Sequence, residues 1–228
     1  MEKLIITAAI CGAEVTKKHN PAVPYTVEEM VREAKSAFEA GAAVIHVHVR
    51  EDDGTPTQDR ERFRVVLDAI KEACPGVILI PSTGGAVGMT AEERLQPTEL
   101  FPEMATLDCG TCNFGDDVFT NDMPTMRAFG KRMMENHIKP EYECFEIGHL
   151  DTVVNMANKG EVPGAPCQFN LLLGGLRLHS RHGGQPGLLS QADPRRFHLD
   201  RHRRRPGRVA HGGRGHRHGR QCPCGLRR

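Results

Sequence analysis

Residues 44–50 read V-I-H-V-H-V-R and contain the pair of side chains best suited to chemistry, His46 and His48. The stretch is rich in β-branched residues and alternates, which predicts a strand with both imidazoles on one face. Two imidazoles placed this way can reach a single ion at about 2.0–2.1 Å, as in many zinc sites. The alternative is a hydrogen-bonded histidine pair without a metal, and the H-x-H spacing alone leaves both interpretations open.

The elements that must position these side chains alternate between short apolar segments and amphipathic ones. Thr26 and Glu29 form the pattern of a capping box at the start of a helix. The predicted strands are Leu4–Cys11, Val44–Arg50, Val77–Pro81, Met104–Asp108, Tyr142–Ile147 and Gln168–Leu173, and the predicted helices are Thr26–Ala40, Asp59–Ala73, Ala91–Leu95, Thr125–His137 and Leu150–Lys159. This alternation predicts a parallel α/β fold, a (β/α)8 TIM barrel truncated to about six β/α units.

Polar residues recur at the predicted strand ends, where parallel barrels carry their chemistry. Beyond the two histidines they are Glu14, Ser82, Thr106, Asp108 and Glu143. Convergence of so many polar groups on one rim is harder to explain by core packing than any single residue is. The glycines of Ser82-Thr83-Gly84-Gly85 also fit an ordinary turn.

Composition excludes several classes of protein. No apolar run approaches a membrane span, and residues 1–9 lack the basic flank and long apolar core of a signal peptide, so a cytoplasmic location is expected. The eight cysteines are irregularly spaced and predict reduced thiols rather than a disulfide framework. Cys109-x-x-Cys112 has no second pair at zinc-finger spacing, which favours ordinary buried or loop thiols.

Five motifs in order give the chain a resemblance to a known family. They are A-A-I-C-G-A-E, V-I-H-V-H-V-R-E-D-D-G, S-T-G-G-A-V-G, P-E-M-A-T-L-D-C-G-T-C-N-F-G-D-D and P-E-Y-E-C-F-E, all within residues 1–175. Together they resemble the β-keto acid cleavage enzymes, among them the enzyme that cleaves 3-keto-5-aminohexanoate in lysine fermentation. The resemblance implies a zinc-dependent barrel, a homo-oligomer (a tetramer in intact members), and conversion of a β-keto acid and acetyl-CoA into acetoacetate and a new acyl-CoA.

The same resemblance assigns roles to individual residues. It implies that His46 and His48 are two zinc ligands, with a third ligand, a glutamate, supplied by the last strand of the family's barrel. It implies that Ser82, Gly85 and Thr106 contact the carboxylate end of the substrate. Glu14 is expected to bind the substrate's amino group. Glu143 is expected to be a second acidic group in the pocket and to have the catalytic role.

The last part of the chain differs sharply in composition. Residues 1–175 hold 16 Lys and Arg against 27 Asp and Glu, a net −11, whereas residues 176–228 hold 14 Arg against two acidic residues, a net +12. The second stretch contains 7 His and a single aromatic residue, Phe197. It cannot bury enough apolar surface to offset its ordering entropy, so we expect a partial barrel domain over residues 1–175 and a disordered tail over 176–228.

A shifted reading frame beginning near Gly174 would explain this change. Read one base later, residues 177–188 can encode G-F-I-P-A-T-V-G-N-L-V-Y and residues 218–227 can encode M-G-G-N-A-R-V-G-F-E. Both resemble family sequence, and the second ends in the glutamate that would be the third zinc ligand. The chain as written lacks that glutamate, so we expect it to be poorly folded and inactive. DNA sequence across the Gly174 codon tests this hypothesis.

Three functions follow from these patterns. The first is zinc-dependent cleavage of a β-keto acid with acetyl-CoA by Claisen and retro-Claisen chemistry. The second is another metal-dependent barrel lyase that shares only the H-x-H strand and needs no acetyl-CoA. The third is nucleic-acid binding through the arginine-rich tail, which we disfavour because single-strand binders interleave aromatic residues with their basic ones. We therefore expect small-molecule partners, with no nucleic acid and no membrane.

Overall fold

The computed structural model describes residues 4–172. Within that range the chain alternates between strands and helices, as the sequence predicts. The strands are β1 (Thr7–Ala9), β2 (Val44–Val47), β3 (Val49–Arg50), β4 (Pro56–Thr57), β5 (Ile78–Pro81), β6 (Met104–Asp108), β7 (Cys112–Phe114), β8 (Asp117–Phe119), β9 (Lys139–Cys144) and β10 (Gln168–Leu171). The helices are α1 (Val27–Glu39), α2 (Arg60–Ala73), α3 (Ala91–Leu95), α4 (Met123–Glu135) and α5 (Ile147–Lys159), with a 3-10 turn at Gln96–Leu100.

Side-chain caps define where the helices begin. Thr26 accepts the backbone N–H of Glu29, and the Glu29 carboxylate accepts the N–H of Thr26, which confirms the predicted capping box of α1. Thr90 forms the same box at α3. Asp59 caps α2 and Asp122 caps α4. The cap at Asp122 was not predicted, because the sequence analysis began that helix at Thr125.

Six of the described strands are parallel and follow the chain order of successive β/α units. β1, β2 and β5 form one hydrogen-bonded sheet, and β6, β9 and β10 form a second. The two sheets are joined beside β5 by Thr83, whose hydroxyl donates to the Thr106 carbonyl at 2.6 Å. This is the parallel α/β fold that the alternation of segments predicts, and it places the carboxyl ends of the strands together.

Several boundaries differ from those predicted. β1 is shorter than Leu4–Cys11, and β9 begins three residues before Tyr142. The predicted strand Val44–Arg50 is interrupted at His48, after which Val49–Arg50 turns away to pair antiparallel with β4. A second antiparallel pair, β7 with β8, forms in a stretch for which no helix or strand was predicted.

Helices cover the strands from outside and create two main groups of buried apolar side chains. One group lies between α1, α2 and the first strands and includes Met30, Ile45, Phe63 and Ile70. The other lies between α4, α5 and the later strands and includes Tyr142. Such burial supplies about 25 cal/mol per Å² of apolar surface and holds each helix against its strands.

The arginine-rich stretch 176–228, and with it the proposed frame change and the Cys222-Pro-Cys224 motif, lies outside the described residues. The described cysteines are all free thiols, and those of Cys109 and Cys112 are both buried. Within residues 4–172 the structure contains no helix with the length and apolar character needed to cross a membrane.

Candidate active site

A cavity of about 370 Å³ opens at the carboxyl ends of the six parallel strands. Every strand of the two sheets, or the residue that follows it, contributes to its wall. The lining residues are Ala9, Cys11, Gly12, Ala13, Glu14, Val15, His46, His48, Ser82, Gly84, Gly85, Val87, Asp108, Phe114, Phe119, Glu143, Phe145, Asn170 and Leu172. The structure therefore brings together Glu14, both histidines, Ser82, Gly85 and Glu143, whose positions were singled out from the sequence.

The two histidines lie side by side in this cavity. Their ring centroids are 5.1 Å apart and the ring planes are inclined by 37°. Burial lowers the pKa of His46 to about 4; burial, followed by the charges of His46 and Arg50, lowers that of His48 to about 3. Both imidazoles are therefore neutral at physiological pH, the state in which a ring nitrogen can bind a metal ion.

Carboxylates approach the histidine pair from β9. The Oε1 atom of Glu143 lies 3.9 Å from Nδ1 of His46. Glu141, two residues earlier on the same strand, joins them, because one ligand atom from each of His46, Glu141 and Glu143 lies within 4.8 Å of the others. One imidazole and two carboxylates form a donor set of the type that holds divalent zinc.

Negative charge is concentrated around Glu143. Its backbone partner in the sheet is Asp108 on β6, and the two side chains interact directly. Burial, reinforced by the charges of Asp108 and Glu141, raises the pKa of Glu143 well above its ordinary value. Burial also raises the pKa of Asp108, against the lowering effect of Arg94. The carboxyl groups of Asp108, Glu141 and Glu143 outnumber the single arginine, Arg94. This excess favours the retention of a proton on one of them or the binding of a cation.

Amide groups from β10 complete this polar layer. Asn170 Nδ2 donates to Glu141 Oε1 at 3.2 Å and to Glu143 Oε1 at 3.3 Å. Gln168 Nε2 donates to Glu141 Oε2 at 3.2 Å. These bonds fix the orientation of both carboxylates, so that Glu143 faces His46 across the cavity.

The loop after β5 offers a small polar surface to the cavity. Ser82 Oγ accepts the backbone N–H of Gly84 at 3.0 Å, which leaves the hydroxyl proton to donate elsewhere. Gly85 has a φ of +64°, and a Cβ there would lie 2.8 Å from Met89 Sδ. The loop thus depends on glycine for its conformation as well as for access, and it can present a hydroxyl to an anionic group.

Thr106 lies apart from the other predicted substrate contacts. It is fully buried and does not line the cavity. Its hydroxyl accepts the backbone N–H of Thr83 at 2.8 Å, and its carbonyl accepts the Thr83 hydroxyl. The described geometry therefore gives Thr106 a part in joining β6 to the end of β5, because its side-chain oxygen is engaged there rather than at the cavity wall.

An aromatic wall closes one side of the cavity and was not expected from the sequence. Phe114, Phe119 and Phe145 pack edge to face, with ring centroids 5.8–6.3 Å apart. Two of the rings come from the β7–β8 pair, so the missed hairpin accounts for the missed wall. The motif N-F-G-D-D at its turn, with Gly115 at a φ of +65°, was the available signal.

Other site residues were also missed. Glu141 is one of them, although in E-Y-E it shares a face of β9 with the predicted Glu143, as a period of two residues implies. Asn170 shares a face with Gln168 for the same reason. Arg94 is different, because the short helix α3 gives no sequence signal that its guanidinium is buried.

Comparison with known proteins agrees with this geometry. The model of the family described as beta-keto acid cleavage enzyme matches residues 3–206. The chain therefore belongs to the β-keto acid cleavage enzyme family.

Individual relatives are similar over the same part of the chain. It is 65% identical over 175 residues to the 3-keto-5-aminohexanoate cleavage enzymes of Fusobacterium nucleatum and Acetoanaerobium sticklandii, covering 76% of this chain and 64% of each relative. It is 41% identical to the 3-oxoadipate:acetyl-CoA acetyltransferase of Cupriavidus necator, covering 71% of this chain and 56% of that protein. The chain thus spans somewhat less than two thirds of the length of these curated relatives.

A solved structure shares the fold. The ternary complex of ObcA with C4-CoA adduct and oxalate superposes with a TM-score of 0.60 at 22% identity, over 67% of this chain and 38% of ObcA. The likeness supports an α/β fold for residues 4–172.

Proposed function

We propose that the site cleaves a β-keto acid with acetyl-CoA, giving acetoacetate and a new acyl-CoA. The observation that carries this proposal is the single cavity that holds both histidines together with Glu14, Ser82, Gly85 and Glu143. Two relatives at 65% identity are named for cleavage of 3-keto-5-aminohexanoate, and a more distant one is named for transfer to acetyl-CoA. We propose 5-amino-3-oxohexanoate, which is that amino keto acid, as the substrate.

Zinc is part of this proposal. The donor set supports it, because ligand atoms of His46, Glu141 and Glu143 lie within 4.8 Å of one another and the neutral imidazole of His48 lines the same cavity. His46 and His48 would hold the ion, with a glutamate as third ligand. When bound, zinc acts as a Lewis acid that polarises a carbonyl oxygen.

The chain's own residues bind the two ends of the substrate. The Ser82 hydroxyl and the Gly85 segment are placed to receive its carboxylate, and Glu14 to receive its ammonium group. A carboxylate at that position favours a cationic substrate over a neutral one, which would leave it unpaired. The aromatic wall excludes water from the remaining side of the cavity.

Glu143 is the proposed proton carrier. In its ionised form, a carboxylate whose pKa is raised by burial is a stronger base than one in water and can accept a proton from C2 of the keto acid. The C2 carbanion attacks the acetyl carbonyl of acetyl-CoA and releases CoA thiolate, which then attacks C3. The C2–C3 bond breaks, giving the new acyl-CoA and acetoacetate, and the proton returns to the acetoacetate carbanion.

Further features belong to the same proposal, and they rest on the family resemblance for the barrel and the assembly and on composition for the tail and the location. They are a (β/α)8 barrel of which about six units are present, a catalytic domain over residues 1–175 with a separate tail over 176–228, a homo-oligomeric assembly and a cytoplasmic location.

Acetoacetate formation tests the proposal and separates it from its rival. The chain as written and a frame-restored version are loaded with zinc and given 5-amino-3-oxohexanoate with or without acetyl-CoA. We expect acetoacetate from the frame-restored protein only when acetyl-CoA is present, and loss of product in Glu143→Gln. Product release without acetyl-CoA would instead favour an aldolase-type lyase, and no product from the frame-restored protein would contradict the proposal.

A further inference from the structure

The segment that carries Glu14 is partly exposed to solvent. Glu14 and Val15 are exposed, yet residues 12–15 form part of the cavity wall. A carboxylate can select a cationic ligand only if its distance from the rest of the site is maintained. Some other residue must therefore hold this segment in place.

Arg50 holds it. This guanidinium is 1% exposed and lies at the end of β3, two residues after His48. Nε and Nη2 both donate to the Gly12 carbonyl, at 3.2 and 2.6 Å, and Nη2 also donates to the Val15 carbonyl at 2.8 Å. The residues on either side of Ala13 and Glu14 are thus fixed to β3, the short strand that directly follows His48.

The third arm of the guanidinium is anchored independently. Nη1 donates to the Gly54 carbonyl at 2.6 Å, and the group lies over the Tyr25 ring, 5.3 Å from its centroid. Gly54 has a φ of +92°, and a Cβ there would lie 2.3 Å from the Tyr25 ring. Tyr25 also accepts the backbone N–H of Lys17 at 2.7 Å. The Gly54 carbonyl and the Tyr25 ring therefore restrain the Arg50 side chain on this side.

The hydrogen-bond acceptors of the Arg50 guanidinium indicate its role. Within residues 4–172 the Arg50 guanidinium donates to the backbone carbonyls of Gly12, Val15 and Gly54 and to no carboxylate. A buried guanidinium without an anionic partner is costly to desolvate, whereas its fixed fork can join several carbonyls at once. This arrangement suits a residue that fixes the course of the backbone.

We propose that Arg50 is a positioning residue that sets the preference of the site for a β-keto acid with an ammonium group by holding the segment of Glu14. This rests on the proposed function, since it presumes that Glu14 meets the ammonium group of the substrate. Lysine cannot replace the Arg50 guanidinium, because a single ammonium group cannot donate to the carbonyls of Gly12, Val15 and Gly54 at the same time.

Equilibrium binding tests the proposal without requiring turnover. The affinities of the zinc-loaded, frame-restored protein, called the native chain below, are measured by calorimetry without acetyl-CoA. The ligands are 5-amino-3-oxohexanoate and 3-oxohexanoate, which lacks the amino group. We expect the native chain to prefer the amino compound, and Arg50→Lys to reduce that preference by about two- to fivefold, as for a charge pair at a partly exposed site. In a Glu14→Gln background, Arg50→Lys should leave the remaining ratio unchanged.

Arg62→Lys is the matched control. Arg62 also donates to backbone carbonyls, those of Arg50 and Tyr25, but to no residue of the 12–15 segment, so its variant should keep the native preference. Hydrogen exchange of residues 12–17 gives a second measurement and should accelerate in Arg50→Lys but not in Arg62→Lys.

The possible failures are distinguishable. Equal preference in the native chain and Arg50→Lys, or unchanged exchange in residues 12–17, would overturn the role of Arg50 alone. A native chain that binds neither keto acid would overturn the proposed function and this inference with it.

Discussion

Replacing Arg94 with methionine should destabilise the protein strongly. The side chain is 3% exposed and packs against the rings of Phe119 and Phe129, with its Cζ 4.9 and 5.1 Å from their centroids. Its nitrogens donate to the Thr83 carbonyl at 2.8 Å, the Thr120 carbonyl at 3.0 Å, Asn121 Oδ1 at 2.6 Å and Asp108 Oδ2 at 3.2 Å.

Methionine fills much of the same volume but leaves Asp108 without its cation, beside Glu143. Removing one partner of a buried ion pair costs about 3–5 kcal/mol. For a domain of this size each 1 kcal/mol corresponds to about 2–4 °C in Tm, so we expect a fall of about 6–20 °C.

Denaturant and thermal unfolding measure this cost, with Arg127→Met as control. Arg127 pairs with Glu161 at 3.0 Å but its side chain is 47% exposed, so its loss should cost no more than about 1 kcal/mol. Adding Asp108→Asn to Arg94→Met should recover part of the loss, because the unpaired charge is then removed. A loss in Arg94→Met similar to that of the control, or no recovery in the double variant, would refute the reasoning.

Three further substitutions have defined outcomes. Gly110→Ala would place a Cβ 2.5 Å from the ring of His149, and the overpacking should lower the free energy of unfolding by about 1–3 kcal/mol, so native-like stability would contradict the contact. Thr106→Val leaves a buried backbone N–H without its acceptor and should cost about 1–3 kcal/mol in denaturant unfolding, with Thr106→Ser close to native. The hydrogen bond from Lys17 lowers the pKa of Glu29 from 4.5 to about 2. The stabilisation of the folded protein by this ion pair is therefore complete above pH 4.5 and is lost as the pH falls toward 2. The stability difference between the native chain and Glu29→Gln should shrink over that range, and a difference independent of pH would contradict the ion pair.

The sequence predicted correctly those helices and strands that are determined by side chains close together in the chain. The capping box of Thr26 and Glu29 defined the start of α1, and the periodic apolar face of α2 gave its limits to within one residue. The H-x-H alternation placed both imidazoles on one side of the chain. These features depend on side chains within a few residues of each other, which the sequence displays directly.

Features that depend on distant partners were missed. The β3–β4 and β7–β8 pairs were missed because their strands are two or three residues long and are defined by pairing rather than by an apolar pattern. β9 was placed too late because Lys139 and Pro140 are atypical of a strand interior.

The family resemblance identified the residues that face the cavity better than those behind it. Arg50 and Arg94 each join segments more than ten residues apart, and an arginine gives no sequence signal of burial. Thr106 was assigned to the substrate because its position matches a family motif, whereas its hydroxyl accepts the Thr83 amide. Contacts of this kind are determined by the packing of neighbouring strands.

Zinc content of the purified, frame-restored native chain tests the central claim most directly. After chelator treatment and titration with zinc, bound metal is measured by mass spectrometry, for the native chain, His46→Ala, His48→Ala and the control Cys112→Ser. We predict one zinc per chain in the native protein and in the cysteine variant, and its loss in both histidine variants. A chain that binds no zinc, or that binds it equally well without either histidine, would contradict the account.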